Sequence, residues 1–246
     1  MVDLETTGTD PKTDAIIQVG AVLLQGGKII SRFSCDLNPG RKIPKHIEAL
    51  TGITNAKVKK APLFSDIAET LYGYLQGTIF VAHNIAFDYR FLNDAFERLG
   101  LKPLNLSGID TVLLSQIFFP TEVSFRLKDL AESFGFNHLR PHQADSDAEV
   151  TAKLFLKIEE TIDTLPAKTL EKISELAQSL PFETGDFILQ KALKAQTQVK
   201  DLSPSQIVLE GLVIQNKTLE PTTFQKKSNY PRGKKGKEKV FPKSLT

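Results

Sequence analysis

Near its start the chain contains two apolar segments joined by a pair of glycines. They are residues 15–24 (AIIQVGAVLL) and 28–37 (KIISRFSCDL), connected across Gln25-Gly26-Gly27. A glycine pair between two apolar segments is typical of a tight β-hairpin, because the turn residues need positive φ. The turn sequence Asn38-Pro39-Gly40 then ends the second segment. The sequence therefore predicts two antiparallel strands early in the fold.

Strand and helix patterns alternate along the rest of the chain. The spacing predicts further strands at residues 1–5, 78–82 and 107–111, with 207–214 as another candidate. It predicts helices at residues 43–50, 64–76, 87–99, 126–134, 146–164, 170–180 and 187–195. Strands that are first consecutive and then separated by helices are typical of a mixed sheet. We therefore expect an α/β fold in which helices flank this sheet.

A proline after the long helix, Pro166, interrupts the pattern and marks the predicted domain boundary. We expect one domain at residues 1–165, a helical linker at 166–200 and a basic, partly disordered tail at 201–246.

Charge is distributed unevenly along the 246 residues, whose net charge is +2. Residues 224–246 contain eight basic residues and one acid, a net charge of +7, which leaves −5 for residues 1–223. The basic segment is either a solvated terminus or an arm that binds a polyanion, and both interpretations stay open.

Composition excludes several classes of protein. No apolar run approaches the roughly 18 residues that a membrane span requires. The N-terminus lacks the basic and apolar regions of a secretory signal. Cys35 is the single cysteine, which excludes an intramolecular disulfide and a cysteine-based zinc cluster. We therefore expect a cytoplasmic protein that is not associated with a membrane.

The first acidic pair lies at the end of the first predicted strand. Asp3 and Glu5 are two residues apart, so a strand places both carboxylates on one face. Two such oxygen ligands suit Mg²⁺ or Mn²⁺. Taken alone, the pair is also typical of a solvated strand end.

The second cluster, His83-Asn84-Ile85-Ala86-Phe87-Asp88, follows a predicted buried strand. Asn84 is a suitable N-cap, which places Asp88 about one turn inside the next helix and Phe87 toward the core. The alternatives are an acid that stabilises the helix dipole and a hydrogen-bonded core histidine.

The third cluster, His142-Gln143-Ala144-Asp145-Ser146-Asp147, opens the long helix. Ser146 and Glu149 have the spacing of a capping box. Asp147 is the candidate ligand on the helix, and Asp145 is interpreted as a first-turn acid. His142 lies on the preceding loop, where a histidine is able to exchange protons near neutral pH. The alternative is a solvated surface histidine.

Together the clusters provide four carboxylates and one histidine on three segments. Two metal ions about 4 Å apart activate a water and stabilise the leaving oxygen in phosphodiester hydrolysis. The chain has no phosphate-binding Gly-x-x-x-x-Gly-Lys loop, no Gly-x-Ser-x-Gly motif and no His-Glu-x-x-His motif. Cys35 lies in a predicted strand, where packing is expected rather than catalysis.

In order, these three clusters resemble the exonuclease motifs of the DEDDh superfamily, which includes the DnaQ-like proofreading exonucleases. The resemblance covers roughly residues 1–165 and implies a ribonuclease H-like fold with a mixed five-stranded sheet. It implies 3′→5′ hydrolysis of single-stranded DNA, with RNA as an alternative, releasing nucleoside 5′-monophosphates. In this resemblance two Mg²⁺ or Mn²⁺ ions are held by four carboxylates and the general base is a histidine. The metal ligands are Asp3, Glu5, Asp88 and Asp147, and the base is His142.

The resemblance also implies residues that bind the substrate. Leu50-Thr51-Gly52-Ile53-Thr54 resembles a family loop that packs against the terminal nucleotide, with Gly52 allowing close backbone approach and Ile53 contacting a base. A simple helix C-cap is the alternative for Gly52. Asp110 also matches the family but is interpreted as structural. The full predicted substrate-binding set is Thr6, Gly52, Ile53, His83, Asn84 and Phe87.

The resemblance is greatest to the exonuclease half of bacterial DinG-type helicases, without the helicase part. It implies as partners a nucleic acid with a free 3′ end and a helicase or DNA polymerase. The competing hypothesis is a non-catalytic nucleic-acid-binding module associated with a helicase or polymerase.

Overall fold

The computed structural model describes residues 1–138 and 140–200, except the side chains of 198–200. The strands, β1 to β5 in chain order, are Val2–Thr6, Ile16–Gln25, Lys28–Asp36, Phe80–Ala82 and Gly108–Asp110. The helices, α1 to α9, are Lys45–Thr51, Asn55–Val58, Phe64–Leu75, Ile85–Arg98, Thr111–Phe118, Leu127–Ser133, Ala144–Asp163, Ala167–Ala177 and Thr184–Lys200. The candidate strand at 207–214 and the basic tail lie outside the described residues.

The strands form two hydrogen-bonded sets. β1, β2 and β3 make an antiparallel sheet in that order, and β4 and β5 pair in parallel. The expectation of one continuous five-stranded sheet is therefore corrected for the described residues. At the place where β1 lies beside β4, the N–H of Leu4 donates to the carboxylate of Asp88 at 2.9 Å instead of to a strand. A side chain thus uses a backbone position that would extend the sheet.

The β2–β3 hairpin forms as predicted. Gly26 and Gly27 have φ of 56° and 74°, the left-handed values that a residue with a side chain rarely adopts. β2 is almost entirely buried, whereas alternate residues of β3 are exposed. The hairpin therefore supplies one central strand and one strand with a solvent-facing side.

Helix α7 packs against β2 where the strand has a glycine. A Cβ at Gly20 would overlap the carbonyl of Ala144, the first residue of α7. The side chain of Gln18 accepts a hydrogen bond from the Ala144 N–H at 2.7 Å, which satisfies a backbone donor at the start of the helix. This close contact fixes the start of α7 against the sheet.

Helices α8 and α9 share a core with the preceding elements. Leu170, Ala177 and Ile188 are buried in the same apolar cluster as Ile109 and Phe155. The start of α9 also bonds β5, because the Asp110 N–H donates to Thr184 Oγ1 at 3.1 Å. Among the described residues, no helix combines the length and the apolar character that crossing a bilayer requires.

Candidate active site

The geometry of β1 directs two carboxylates toward one side. Val2, Leu4 and Thr6 are buried, whereas Asp3 and Glu5 between them are half-buried. This alternation follows from the two-residue period of a strand. The pair therefore lies together at the edge of the core.

Asp88 reaches the same place from α4, with its position fixed by backbone contacts. It lies four residues after Asn84, which is the N-cap with a left-handed φ of 73°. The Asn84 side chain makes no capping bond. Asp110 caps the helix instead, accepting from the N–H groups of Asn84 and Ile85 at 3.3 and 3.2 Å. The structural interpretation of Asp110 is therefore supported.

Asp147 comes from the first turn of α7, which begins at Ala144 with Gln143 as the N-cap. Ser146 consequently lies inside the helix, so the predicted capping box of Ser146 and Glu149 is wrong. Asp145 lies in the first turn and pairs with Arg140 at 2.8 Å. The helix starts earlier than predicted because Gln18, distant in sequence, satisfies its first N–H group.

A histidine that the sequence analysis did not identify contacts Asp147. His138 Nε2 lies 2.6 Å from Asp147 Oδ1, and the His138 side chain is only 7% exposed. The backbone N–H of His142 donates to Asp147 Oδ2 at 3.1 Å. His138 precedes His142 by four residues on the same loop, which is the only local signal. Nothing in that spacing identifies the partner of its ring.

The predicted ligands and base converge on one cavity of about 310 Å³. Its lining includes every residue predicted as catalytic, namely Asp3, Glu5, Asp88, His142 and Asp147. Ligand atoms of Glu5, His142 and Asp147 lie within 4.8 Å of one another. His142 lies on the loop that precedes α7, where it is exposed and has a left-handed φ of 62°. It contributes to the lining of the cavity.

The electrostatics show how closely the carboxylates are held. Burial, and then the negative charge of Asp147, raises the pKa of Glu5 to about 7. Burial is also the largest cause raising the pKa of Asp3, followed by the charges of Asp88, Asp147 and Glu5. The pKa of Asp88 is raised by burial, with the Leu4 N–H opposing that rise. Four carboxylates brought together in this way favour a cation.

The pKa of Asp147 is raised less than burial alone would raise it. Burial is the largest cause, and the hydrogen bond and charge of His138 oppose it, as does the N–H of His142. The loop that carries the two histidines therefore stabilises the ionised form of this carboxylate.

Four of the predicted substrate-binding residues line the same cavity, namely Thr6, His83, Asn84 and Phe87. The ring of His83 is already used by the fold. Its Nε2 donates to the carbonyl of Phe125 at 2.8 Å, and its Nδ1 lies 2.9 Å from Thr111 Oγ1. Burial lowers the pKa of His83, which favours the neutral ring. Its contacts are those of the hydrogen-bonded core histidine that the sequence left open.

The prediction for Ile53 is corrected by the structure. Ile53 is 0% exposed and packs with Ile17, Ile43 and Val58, so its side chain does not reach a base in the cavity. Gly52 has a φ of 70° and caps α1. It does not belong to the cavity lining. Leu50, which is 52% exposed, lines the cavity instead. The left-handed turn at Gly52 reverses the chain and sends the next side chain inward.

A larger cavity of about 530 Å³ lies at the other end of β1, around Met1. Its lining is mainly apolar and contains one carboxylate, Glu159. It therefore lacks the grouping of ionisable side chains that distinguishes the smaller cavity.

The α/β fold with this acidic cavity defines a ribonuclease H-like nuclease domain. Within that class the chain belongs to the exonuclease family RNase_T, whose family model matches residues 1–155.

Relatives in sequence include two proteins described as 3′-5′ exonuclease DinG. The one from Bacillus subtilis (strain 168) is 43% identical over 179 residues, covering 72% of this chain and 19% of the relative. The one from Staphylococcus aureus (strain MRSA252) is 34% identical over 225 residues, covering 91% of this chain and 25% of the relative. The chain thus spans about a fifth to a quarter of the length of these relatives.

Similar solved structures include Exonuclease X in complex with 5′ overhanging duplex DNA. It has a TM-score of 0.53 and 26% identity, and the match covers 65% of this chain and 90% of that one. The nuclease domain of 3′hExo, a DEDDh family member bound to rAMP, has a TM-score of 0.56 and 21% identity, with coverage of 65% and 90%. The latter likeness supports the fold alone.

Proposed function

We propose that this chain is a metal-dependent 3′→5′ exonuclease that acts on single-stranded DNA, with RNA as the alternative substrate. It releases nucleoside 5′-monophosphates. The observation that carries the proposal is the convergence of four carboxylates and His142 on one cavity of about 310 Å³. The polarity is supported by the DinG relatives, which are described as 3′-5′ exonucleases.

The donor set fits two divalent ions. Asp3, Glu5, Asp88 and Asp147 offer only carboxylate oxygens, which suit Mg²⁺ or Mn²⁺. Burial raises the pKa of Asp3, Glu5 and Asp88, and the charges of neighbouring carboxylates raise it further. A bound cation would favour the ionised form of these groups. Two ions bound there would acidify an attacking water and stabilise the leaving oxygen.

The protein's own groups have distinct roles in this mechanism. His142 is the general base, because its ring is exposed at the cavity and one of its nitrogens lies within 4.8 Å of Glu5 and Asp147 ligand atoms. Thr6, Asn84 and Phe87, which line the same cavity, contact the terminal nucleotide. Leu50 supplies the apolar contact that the sequence assigned to Ile53.

The proposal is tested by time-resolved digestion of 5′-labelled and 3′-labelled oligonucleotides of DNA and RNA, with Mg²⁺ or Mn²⁺. We expect a 5′ label to give a ladder of shortening products and a 3′ label to be released at once as a mononucleotide. His142→Ala should remove most activity and flatten the acid limb of the pH profile. The exonuclease proposal fails if neither label yields products with either ion.

A helicase or DNA polymerase partner remains a prediction from the sequence resemblance. We expect unwinding by a helicase to supply single strands to this domain. Digestion of a duplex by this chain, with and without an added helicase, measures that coupling.

A further inference from the structure

A strongly basic segment lies within an otherwise acidic body. Residues 41–60 contain six cations and one acid, a net charge of +5. Residues 1–40 and 61–200 together contain 16 cations and 24 acids, a net charge of −8. The cations are Arg41, Lys42, Lys45, Lys57, Lys59 and Lys60, and all six are exposed. Their concentration in twenty residues distinguishes this segment from the rest of the described surface.

Hydrogen bonds and apolar contacts hold this segment as one unit. Asn55 Oδ1 accepts from the Ile43 N–H at 2.8 Å, and the Asn55 side-chain amide donates to the Ile43 carbonyl at 3.1 Å. The Asn55 N–H donates to Glu48 at 2.6 Å. Ile43, Ile53 and Val58 are buried beneath it. We call the exposed side of residues 41–60 the α1–α2 basic surface.

Much of its positive charge is not neutralised by neighbours. Lys57 pairs with Asp36 at 2.9 Å. Lys42, Lys45, Lys59 and Lys60 have no carboxylate at ion-pair distance within the part of the chain that the structure describes. Glu48 has a lowered pKa, caused first by its hydrogen bonds from Asn55 and then by the charges of nearby lysines.

The α1–α2 basic surface adjoins the candidate active site. Ile47 and Leu50, on α1, line the cavity that contains the carboxylates. Gln143, next to His142, donates to the carbonyl of Thr51 at the end of α1. A cavity of about 310 Å³ is limited to the end of a strand, so the remaining nucleotides must leave over its walls. One of those walls is α1, which is part of the α1–α2 basic surface.

From this geometry we infer that the α1–α2 basic surface binds the phosphodiester backbone of the single strand whose 3′ end occupies the cavity. The inference rests on the proposed exonuclease function and adds to it the path of the substrate. Five of the six cations are lysines, which act as point charges on phosphate rather than as bidentate readers of a base edge. Binding along this surface is therefore independent of sequence.

The test compares two fourfold variants of the full chain. The first replaces Lys42, Lys45, Lys59 and Lys60 with glutamine. The matched control replaces four exposed lysines elsewhere, Lys102, Lys168, Lys172 and Lys194. Affinity for a fluorescent oligothymidylate is measured by anisotropy over a series of salt concentrations, with Ca²⁺ replacing Mg²⁺ and strand integrity checked on a gel. The basic tail is present in every protein, so its contribution cancels.

Loss of four phosphate contacts should reduce the slope of log K against log salt by about 3, since each contact to a single strand contributes about 0.7. The control should keep the wild-type slope. With Mg²⁺, the ratio of kcat/KM for a long oligonucleotide to that for a dinucleotide should fall at least tenfold in the first variant only.

The inference is overturned if the first variant keeps the wild-type salt slope and kcat/KM ratio while thermal unfolding shows that it is folded. In that case the surface serves another partner, such as an acidic protein. A wild-type chain that hydrolyses neither the dinucleotide nor the long strand would instead overturn the exonuclease proposal. Hydrolysis of the dinucleotide by the wild-type chain therefore separates the two failures.

Discussion

His138 Nε2 lies 2.6 Å from Asp147 Oδ1, which joins a buried histidine to a carboxylate of the candidate metal site. The other oxygen of Asp147 accepts the backbone N–H of His142. Both oxygens are thus oriented by one loop before any ion binds. Groups that hold a metal ligand in this way typically change metal affinity or activity by 10–100-fold when removed.

Replacing His138 with leucine should therefore weaken Mn²⁺ binding by about 10–100-fold, because Asp147 loses the donor that orients it. His138→Gln keeps an N–H donor and should be affected less. Calorimetric titration with Mn²⁺ measures this without any substrate. Equal affinities for the wild type and a folded His138→Leu protein would show that the contact does not position the carboxylate.

Asp3→Asn should abolish hydrolysis while the metal-free protein becomes more stable. The substitution removes a proposed metal ligand, and it also removes a half-buried carboxyl group that lies near other carboxylates. Thermal unfolding in EDTA should give a higher Tm than wild type, and added Mn²⁺ should stabilise the variant less. Glu97→Gln, at an exposed position on α4, is the control and should leave activity and metal response unchanged. A variant with wild-type turnover would exclude Asp3 from the site.

Glu5 should contribute a loss of stability to the metal-free protein as pH rises from about 4.5 to about 7. The pKa of Glu5 is raised from 4.5 to about 7 in the folded state, so this carboxyl group binds more protons in the folded protein than in the unfolded chain in that interval. The stabilisation from protonated Glu5 is fully present below pH 4.5 and is lost as pH rises through about 7. Thermal unfolding in EDTA across this range measures the decrease. Mg²⁺ should offset it near pH 7, and Glu5→Gln should make the profile flatter. A folded Glu5→Gln protein whose profile matches that of the wild type would contradict the assignment.

Gly20→Ala should destabilise the protein by about 1–3 kcal/mol or more, because the added methyl group overlaps the Ala144 carbonyl. Activity should fall as well, since α7 carries Asp147. Gly73→Ala is the matched control, as it lies inside α3 with no atom within 4 Å of the added Cβ. That change should stabilise by about 0.5–1 kcal/mol. Urea unfolding measures the free energy of unfolding of both variants. Similar free energies for Gly20→Ala and Gly73→Ala would refute the close packing of β2 and α7.

Substitutions of Leu50 and Ile53 should have different effects, the first on substrate binding and the second on stability. Leu50→Ala should raise KM with little loss of stability, because the side chain is half exposed at the cavity. Ile53→Ala should lower the free energy of unfolding by about 2–5 kcal/mol, as expected for a buried isoleucine. Steady-state kinetics and urea unfolding of both variants test this. If instead Leu50→Ala is silent and Ile53→Ala raises KM in a fully stable protein, the sequence-based assignment of Ile53 is restored.

Local patterns were sufficient for most of the elements and for most of the candidate site. The glycine pair at Gly26-Gly27 predicted the hairpin, because positive φ is a property of single residues. The two-residue spacing of Asp3 and Glu5 predicted that both would lie on one side of β1, because a strand alternates its side chains. Two helices, α2 and α5, were not predicted: α2 has only four residues, and α5 (TVLLSQIF) is apolar at most positions, so neither shows a clear helical period.

What the sequence by itself determined is most of the elements, the α/β class and the five ionisable groups predicted as catalytic. The tertiary structure decided which of these groups meet and how they are oriented. The Leu4 N–H donates to Asp88, which is 84 residues away in the sequence. Gln18 accepts from the first N–H group of α7, which is 126 residues away. The tertiary structure also decided that Leu50 rather than Ile53 lines the cavity, and that His138 contacts Asp147. The physical reason is that backbone preference acts over a few residues, whereas these contacts depend on how whole elements pack.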